Sequence, residues 1–145
     1  MRKKIILAFF CTIFFSLAGA THCRAEIKSE YLLRTLDLIA EKTFQGYNSE
    51  DYLQFFQYYS NTLTGVKNNR QYFTNVFMDV YKNNFGAILT RRIDRQASNL
   101  NPQYPRLVYT ADCKKASDVL IVVNFQEESG TYRITQIKFD SSYSH

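Results

Sequence analysis

The chain has 145 residues, 46% of them hydrophobic and 16% aromatic, with 18 Lys and Arg against 13 Asp and Glu for a formal charge of +5. Three of those cations are Arg2, Lys3 and Lys4, and the first 25 residues hold no acid, so the chain beyond Ala20 or Ala25 carries only +2 or +1. Such a balance argues against nucleic acid as a partner, which demands clustered excess cations. The two histidines, His22 and His145, lie near the ends and leave no His-based catalysis or His-rich metal site.

The first residues divide as a secretory signal peptide does. Arg2, Lys3 and Lys4 are a basic start, Ile5 to Leu17 is an uncharged apolar run, and Ala18-Gly19-Ala20 is a small-residue cleavage site. The run is shorter than the roughly 20 apolar residues that a membrane span needs. The expectation is a signal peptide over residues 1–25, cut after Ala20 or Ala25, and a single domain over residues 26–145 that is periplasmic or secreted. No integral membrane segment is expected after cleavage. Ala20 stands where a lipoprotein would carry its cysteine, so lipidation is not expected. Cys11 leaves with the signal, Cys23 stays only if the cut follows Ala20, and Cys113 stays in either case; one pair at most is not a disulfide framework.

Residues 30 to 45 have a helical stripe of Leu32, Leu33, Leu36, Ile39, Ala40 and Phe44, with Ser29 as start and Gly46 as stop. Asn48 or Ser49, followed by Glu50 and Asp51, predicts the start of a second short helix, carrying Tyr52, Phe55, Phe56 and Tyr59 and ending near Ser60. Asn61 to Gly65 reads as a turn. A third helix is predicted from about Asn68 to Asn83, with Tyr72, Phe73, Val76, Phe77, Val80 and Tyr81 on one side, closed by Asn83, Asn84 and Gly86.

From there the pattern is that of strands. Residues 87 to 97 and Arg106 to Lys114 are two, separated by Asn101-Pro102 and Tyr104-Pro105. Asp118 to Gln126 is a third, and Glu127-Glu128-Ser129-Gly130 predicts a hairpin loop into a fourth, Thr131 to Asp140. In the fourth, Tyr132 and Ile134 share one parity while Ile137 and Phe139 share the other, which calls for burial on both faces or a β-bulge.

Three helices followed by four strands joined by turns make an α+β domain, with the helices packed on one face of an antiparallel sheet. This order, the Asn48-Ser49-Glu50-Asp51 break, the Phe85-Gly86-Ala87-Ile88 passage into a strand and the closing Gly130-Thr131-Tyr132-Arg133-Ile134 resemble the NTF2-like (cystatin-like α+β cone) superfamily. The likeness runs over residues 30 to 140 and is nearest to small exported domains of unknown function. It implies a curved four-stranded sheet whose concave side takes a ligand or partner, and it places Tyr132 where enzymes of that superfamily carry a ring in the last strand. Those enzymes pair an acid with tyrosines. Asp79, Asp94 and Asp112 qualify by residue type, although no spacing selects one.

The remaining chemistry is sparse. There is no glycine-rich phosphate loop. Cys113 shares its parity with Leu107, Tyr109 and Ala111 and reads as a core cysteine. Tyr52, Tyr58, Tyr59, Tyr72 and Tyr81 either pack the helix–sheet interface or line a ligand cavity. In the first strand Leu89, Arg91 and Ile93 share a face, so Arg91 falls among apolar neighbours. Its guanidinium is then either paired internally or left as an anion-binding fork. Arg91, Tyr109 and Tyr132 are the candidate binding residues. The expected function is a non-enzymatic exported module binding a small molecule or a partner protein, with no cofactor. An acid-and-tyrosine isomerase or hydrolase, or a subunit of a cell-envelope assembly, are the alternatives.

Overall fold

The computed structural model describes the backbone of residues 2–141 and the side chains of residues 24–141. Helix α1 is Arg2–Ser49. The chain divides into two compact units, one up to Arg34 and one from Thr35 onward. In the first, Arg34 pairs with Glu30 one turn earlier at 3.5 Å on the exposed surface. The expected signal peptide falls almost entirely on side chains outside the described residues. The sheet and the remaining helices belong to the second unit.

In that unit α1 buries Leu36, Ile39, Ala40, Phe44 and Tyr47, continuing the predicted stripe one turn beyond Phe44. Gly46 does not end the helix. A Cβ at Gly46 would lie 2.4 Å from the Phe55 amide nitrogen and 2.8 Å from its Cα, so glycine is required for the next segment to cross close against α1. The helix ends at Ser49 and is followed by Glu50 in the left-handed region (φ 60°), with the Asp51 amide bonding back to the Gly46 carbonyl at 2.9 Å. The cap of α2 (Tyr52–Phe56) is therefore Asp51, not Asn48 or Ser49. Its carboxylate accepts from the Leu53 and Gln54 amides at 3.0 and 3.1 Å. This helix is shorter than expected and ends before Tyr58.

The third helical segment has three parts: α3 (Arg70–Tyr72), a π-helix (Phe73–Lys82) and α4 (Asn83–Phe85). Asn69 caps it through the Tyr72 amide at 2.9 Å. A π-helix closes each turn five residues back and usually occurs as a single turn inside an α-helix, so ten residues is long. Phe73, Phe77, Tyr81 and Phe85, four residues apart, contact one another in succession at 5.6–6.4 Å. Phe55 of α2 packs 4.4 Å from Phe77 and 5.0 Å from Phe73. Lys82 ties the segment to the end of α1, donating to the Tyr47 and Asn48 carbonyls at 3.2 and 2.9 Å and pairing with Glu50 at 2.8 Å.

Strands β1 (Ile88–Ile93), β2 (Arg106–Cys113), β3 (Val119–Glu128) and β4 (Thr131–Ser141) form one antiparallel sheet in the order β1-β2-β3-β4. The domain is thus α+β with a four-stranded antiparallel sheet. The hairpin between β3 and β4 turns through Ser129 (φ 52°) and Gly130 (φ 81°), the two positive angles that a type I′ turn needs. One face of the sheet buries Leu107, Tyr109, Ala111, Ile121, Val123, Ile134, Ile137 and Phe139.

Two bulges decide which side chains face inward. In β4 the register shifts so that Asn124 opposes Gln136 while Phe125 opposes Ile134, leaving Thr135 as the extra residue. This is how Ile134 and Ile137, of opposite parity, are both buried. In β1 the shift lies between Ile88 and Thr90, with Leu89 the extra residue. Leu89 is consequently 65% exposed and Ile88 is buried, so the expected inner face of Leu89, Arg91 and Ile93 is corrected to Ile88, Arg91 and Ile93. That strand also ends at Ile93, not residue 97, because Asp94 accepts from the Gln96 and Ala97 amides at 3.0 Å and turns the chain.

Candidate binding site

The bulge at Thr135 creates a landing place for the chain leaving α2. Tyr59 bridges Ile134 in parallel: the Ser60 amide donates to the Ile134 carbonyl, and the Ile134 amide to the Tyr58 carbonyl, each at 2.8 Å. Ser60, fully buried, donates to the Glu128 carboxylate, which also accepts from the Asn61 amide at 3.2 Å and from Gln126 at 2.5 Å. These bonds hold the Glu128 carboxyl below the usual carboxylate range, the one from Ser60 most of all. Tyr59 is thereby fixed with only 2% of its surface exposed.

Around Tyr59 lies a cleft of about 560 Å³, against about 390 and 360 Å³ for two others in the molecule. One wall is the π-helix and the residue before it, through Tyr72, Val76, Phe77 and Tyr81. The opposite wall is β4 from Thr135 to Lys138, and Leu63 and Val66 close an end. The Tyr59 hydroxyl is buried with no hydrogen-bond partner among the described residues. Burial pushes its pKa well above the ordinary tyrosine value, and the Tyr72 and Tyr81 hydroxyls push it further. Of the five tyrosines noted in the sequence, Tyr59, Tyr72 and Tyr81 line this cleft, whereas Tyr52 lines a smaller one against Arg70 and Phe73.

The candidate residues Arg91 and Tyr109 meet elsewhere, against α1. The Tyr109 hydroxyl donates to Asp37 at 3.0 Å, and Arg91 pairs with that same carboxylate oxygen at 3.2 Å and with Glu41 at 3.8 Å. The guanidinium stacks 5.4 Å from the Tyr109 ring centre and 5.6 Å from that of Phe44. Of the two solutions open to Arg91, internal pairing is the one found. Burial, with Asp37 beside it, raises the Tyr109 hydroxyl far above its ordinary value. Asp37 and Glu41 were missed by sequence reasoning; their placement one turn apart on α1, on the side of Leu36 and Ala40, was the available signal. Tyr132 joins neither group. It is half-buried and donates to the Pro102 carbonyl at 3.3 Å.

The other candidates have structural duties. Asp94 caps its turn, and Asp112 accepts from Thr90 at 3.1 Å across the outer face. Asp79 lines a cleft with Glu50 and Lys82. Cys113 is buried and unpaired among the described residues, and burial pushes its thiol up to about 11, away from the thiolate form. Among the described residues no group of three or more His, Cys, Asp or Glu side chains could hold a metal ion, and no helix is long and apolar enough to cross a membrane. Compared with known protein families and with curated proteins, the chain matches none.

Proposed function

We propose that this protein is an exported, non-enzymatic binding module of NTF2-like architecture that takes a small molecule into the cleft between the π-helix and β4. The observation that carries the reading is the π-helix itself. Ten residues of an uncommon helix, whose single-turn form occurs frequently at functional sites, form one wall of a ring-lined cleft within the roughly 300–1,000 Å³ of ligand sites. On the inward face of the sheet Phe44 packs against Tyr109 and Tyr47 against Phe139, both at most 4% exposed, which supports a site at the β4 edge and not over the middle of the sheet. The signal-like residues 1–25 support export to the periplasm or the medium.

The acid-and-tyrosine enzyme reading would rest on Asp37 and Tyr109. Arg91 neutralises that carboxylate and the Tyr109 proton is tightly held, both of which favour a structural pair over a proton shuttle.

The test uses N-phenyl-1-naphthylamine, an uncharged dye whose emission rises in apolar surroundings. One saturable site per chain is expected, and Val76→Trp, which fills the cleft from its helical wall, should abolish it. Emission unaffected by Val76→Trp would overturn the assignment.

A further inference from the structure

The Tyr59 hydroxyl says something about what the cleft takes. Resting on the binding reading above, we infer that its ligand is a neutral amphipathic molecule whose buried end presents a hydrogen-bond acceptor, a carbonyl or ether oxygen, to Tyr59. A buried hydroxyl without a partner is costly, and native proteins leave donors orphaned less readily than acceptors. An incoming oxygen acceptor would recover that cost, which an aliphatic or aromatic hydrocarbon cannot.

The rest of the lining fixes the remaining features. Leu63, Val66, Val76, Phe77 and Ile137 offer apolar surface for a hydrocarbon or ring body. A carboxylate pushed to the floor would lose its hydration without gaining a counter-ion. The cation among the lining residues, Lys138, is at the rim and already pairs with Asp140 at 2.9 Å. Tyr72 and Tyr81 line the same cleft and are both half-buried, and the inference requires one of these two rings to move aside for a ligand to reach the Tyr59 hydroxyl.

NMR titrations of the exported protein with three probes of one shape test this: 2-acetylnaphthalene, its hydrocarbon counterpart 2-isopropenylnaphthalene, and 2-naphthoate. The ketone should bind about five- to tenfold more tightly than the hydrocarbon, the worth of one recovered buried donor, and naphthoate should bind weakest. Tyr59→Phe, which keeps the ring and deletes the donor, should erase the ketone's advantage and leave hydrocarbon binding unchanged. Equal affinity for ketone and hydrocarbon, or an advantage that survives Tyr59→Phe, would refute the acceptor while leaving the cleft a binding site. Naphthoate binding tightest would refute neutrality. Failure of all three probes to shift cleft resonances would remove the binding reading and this inference with it.

Discussion

Tyr59 and Tyr109 are both almost wholly buried, both are raised in pKa by that burial, and both stand in ring-rich surroundings. Yet Tyr109 has Asp37 for its proton and Arg91 over its ring, whereas the electrostatic neighbours of Tyr59 among the described residues are Tyr72 and Tyr81. The first is a closed network in which every charge meets its opposite, and such networks fix a helix on a sheet. The second leaves a buried hydroxyl without a partner among the described residues, on a side chain that lines a cleft. Burial alone does not separate framework from site; the partner does.

The sharpest way to break this contrast is to remove the wall beside Tyr59. Phe77→Ala deletes a ring 2% exposed that touches Phe55, Phe73 and Tyr81, and should cost about 3–5 kcal/mol in urea unfolding. A loss below about 1 kcal/mol would mean the π-helix wall is already loose. Next comes the matched pair of hydroxyl deletions. Tyr109→Phe leaves the Asp37 carboxylate with Arg91 but without its tyrosine donor and should cost about 1–3 kcal/mol, while Tyr59→Phe should be neutral or slightly stabilising because it deletes an unpaired donor. Equal losses at the two positions would end the distinction.

Raising the pH addresses both tyrosines together. Their folded pKa values lie above the unfolded value of about 10, so they contribute stability that is fully present below about pH 10. That contribution is lost as the pH rises, because the unfolded chain gives up these protons first. Ultraviolet titration should show the two ionising only with unfolding, and Tyr59→Phe and Tyr109→Phe should each flatten the alkaline decline in stability. The smallest effect is expected at the other end of the scale. Glu128, lowered by its bonds to Ser60, Gln126 and Asn61, stabilises the segment that seats Tyr59 above the unfolded carboxylate pKa and loses that effect as pH falls through its folded value. Glu128→Gln should flatten the acid side of the melting-temperature profile; an unchanged profile would show that the Ser60 tie contributes nothing.

The α+β order and the four strands were legible because period and turn chemistry agree: Ser129-Gly130 demands a tight hairpin, and the strand run before it is unbroken. The bulge in β4 was legible too, as one of two explanations of the parity switch between Ile134 and Ile137. The bulge in β1 was not, since Ala87, Leu89, Arg91 and Ile93 present an unbroken alternation that gives no reason to suspect an extra residue. The π-helix was equally invisible. Rings at 73, 77, 81 and 85 suit an α-helix just as well, and nothing in the residue types distinguishes a turn closed five back from one closed four back. Three tyrosines of the cleft were singled out, but not from Tyr52 and Tyr58, because their convergence depends on Tyr59 pairing with Ile134, a contact 75 residues away in sequence.

The seating of Tyr59 on β4 has a consequence for how copies of the protein behave toward one another. β4 is an edge of the sheet, and at eleven residues it would be a long template on which a second chain could add a strand. The short parallel bridge covers it at Ile134, the bulge at Thr135 bends it just beyond, and Lys138 and Asp140 place charges along the remainder. The device that positions one tyrosine thus also interrupts the length of edge that a second chain could pair with.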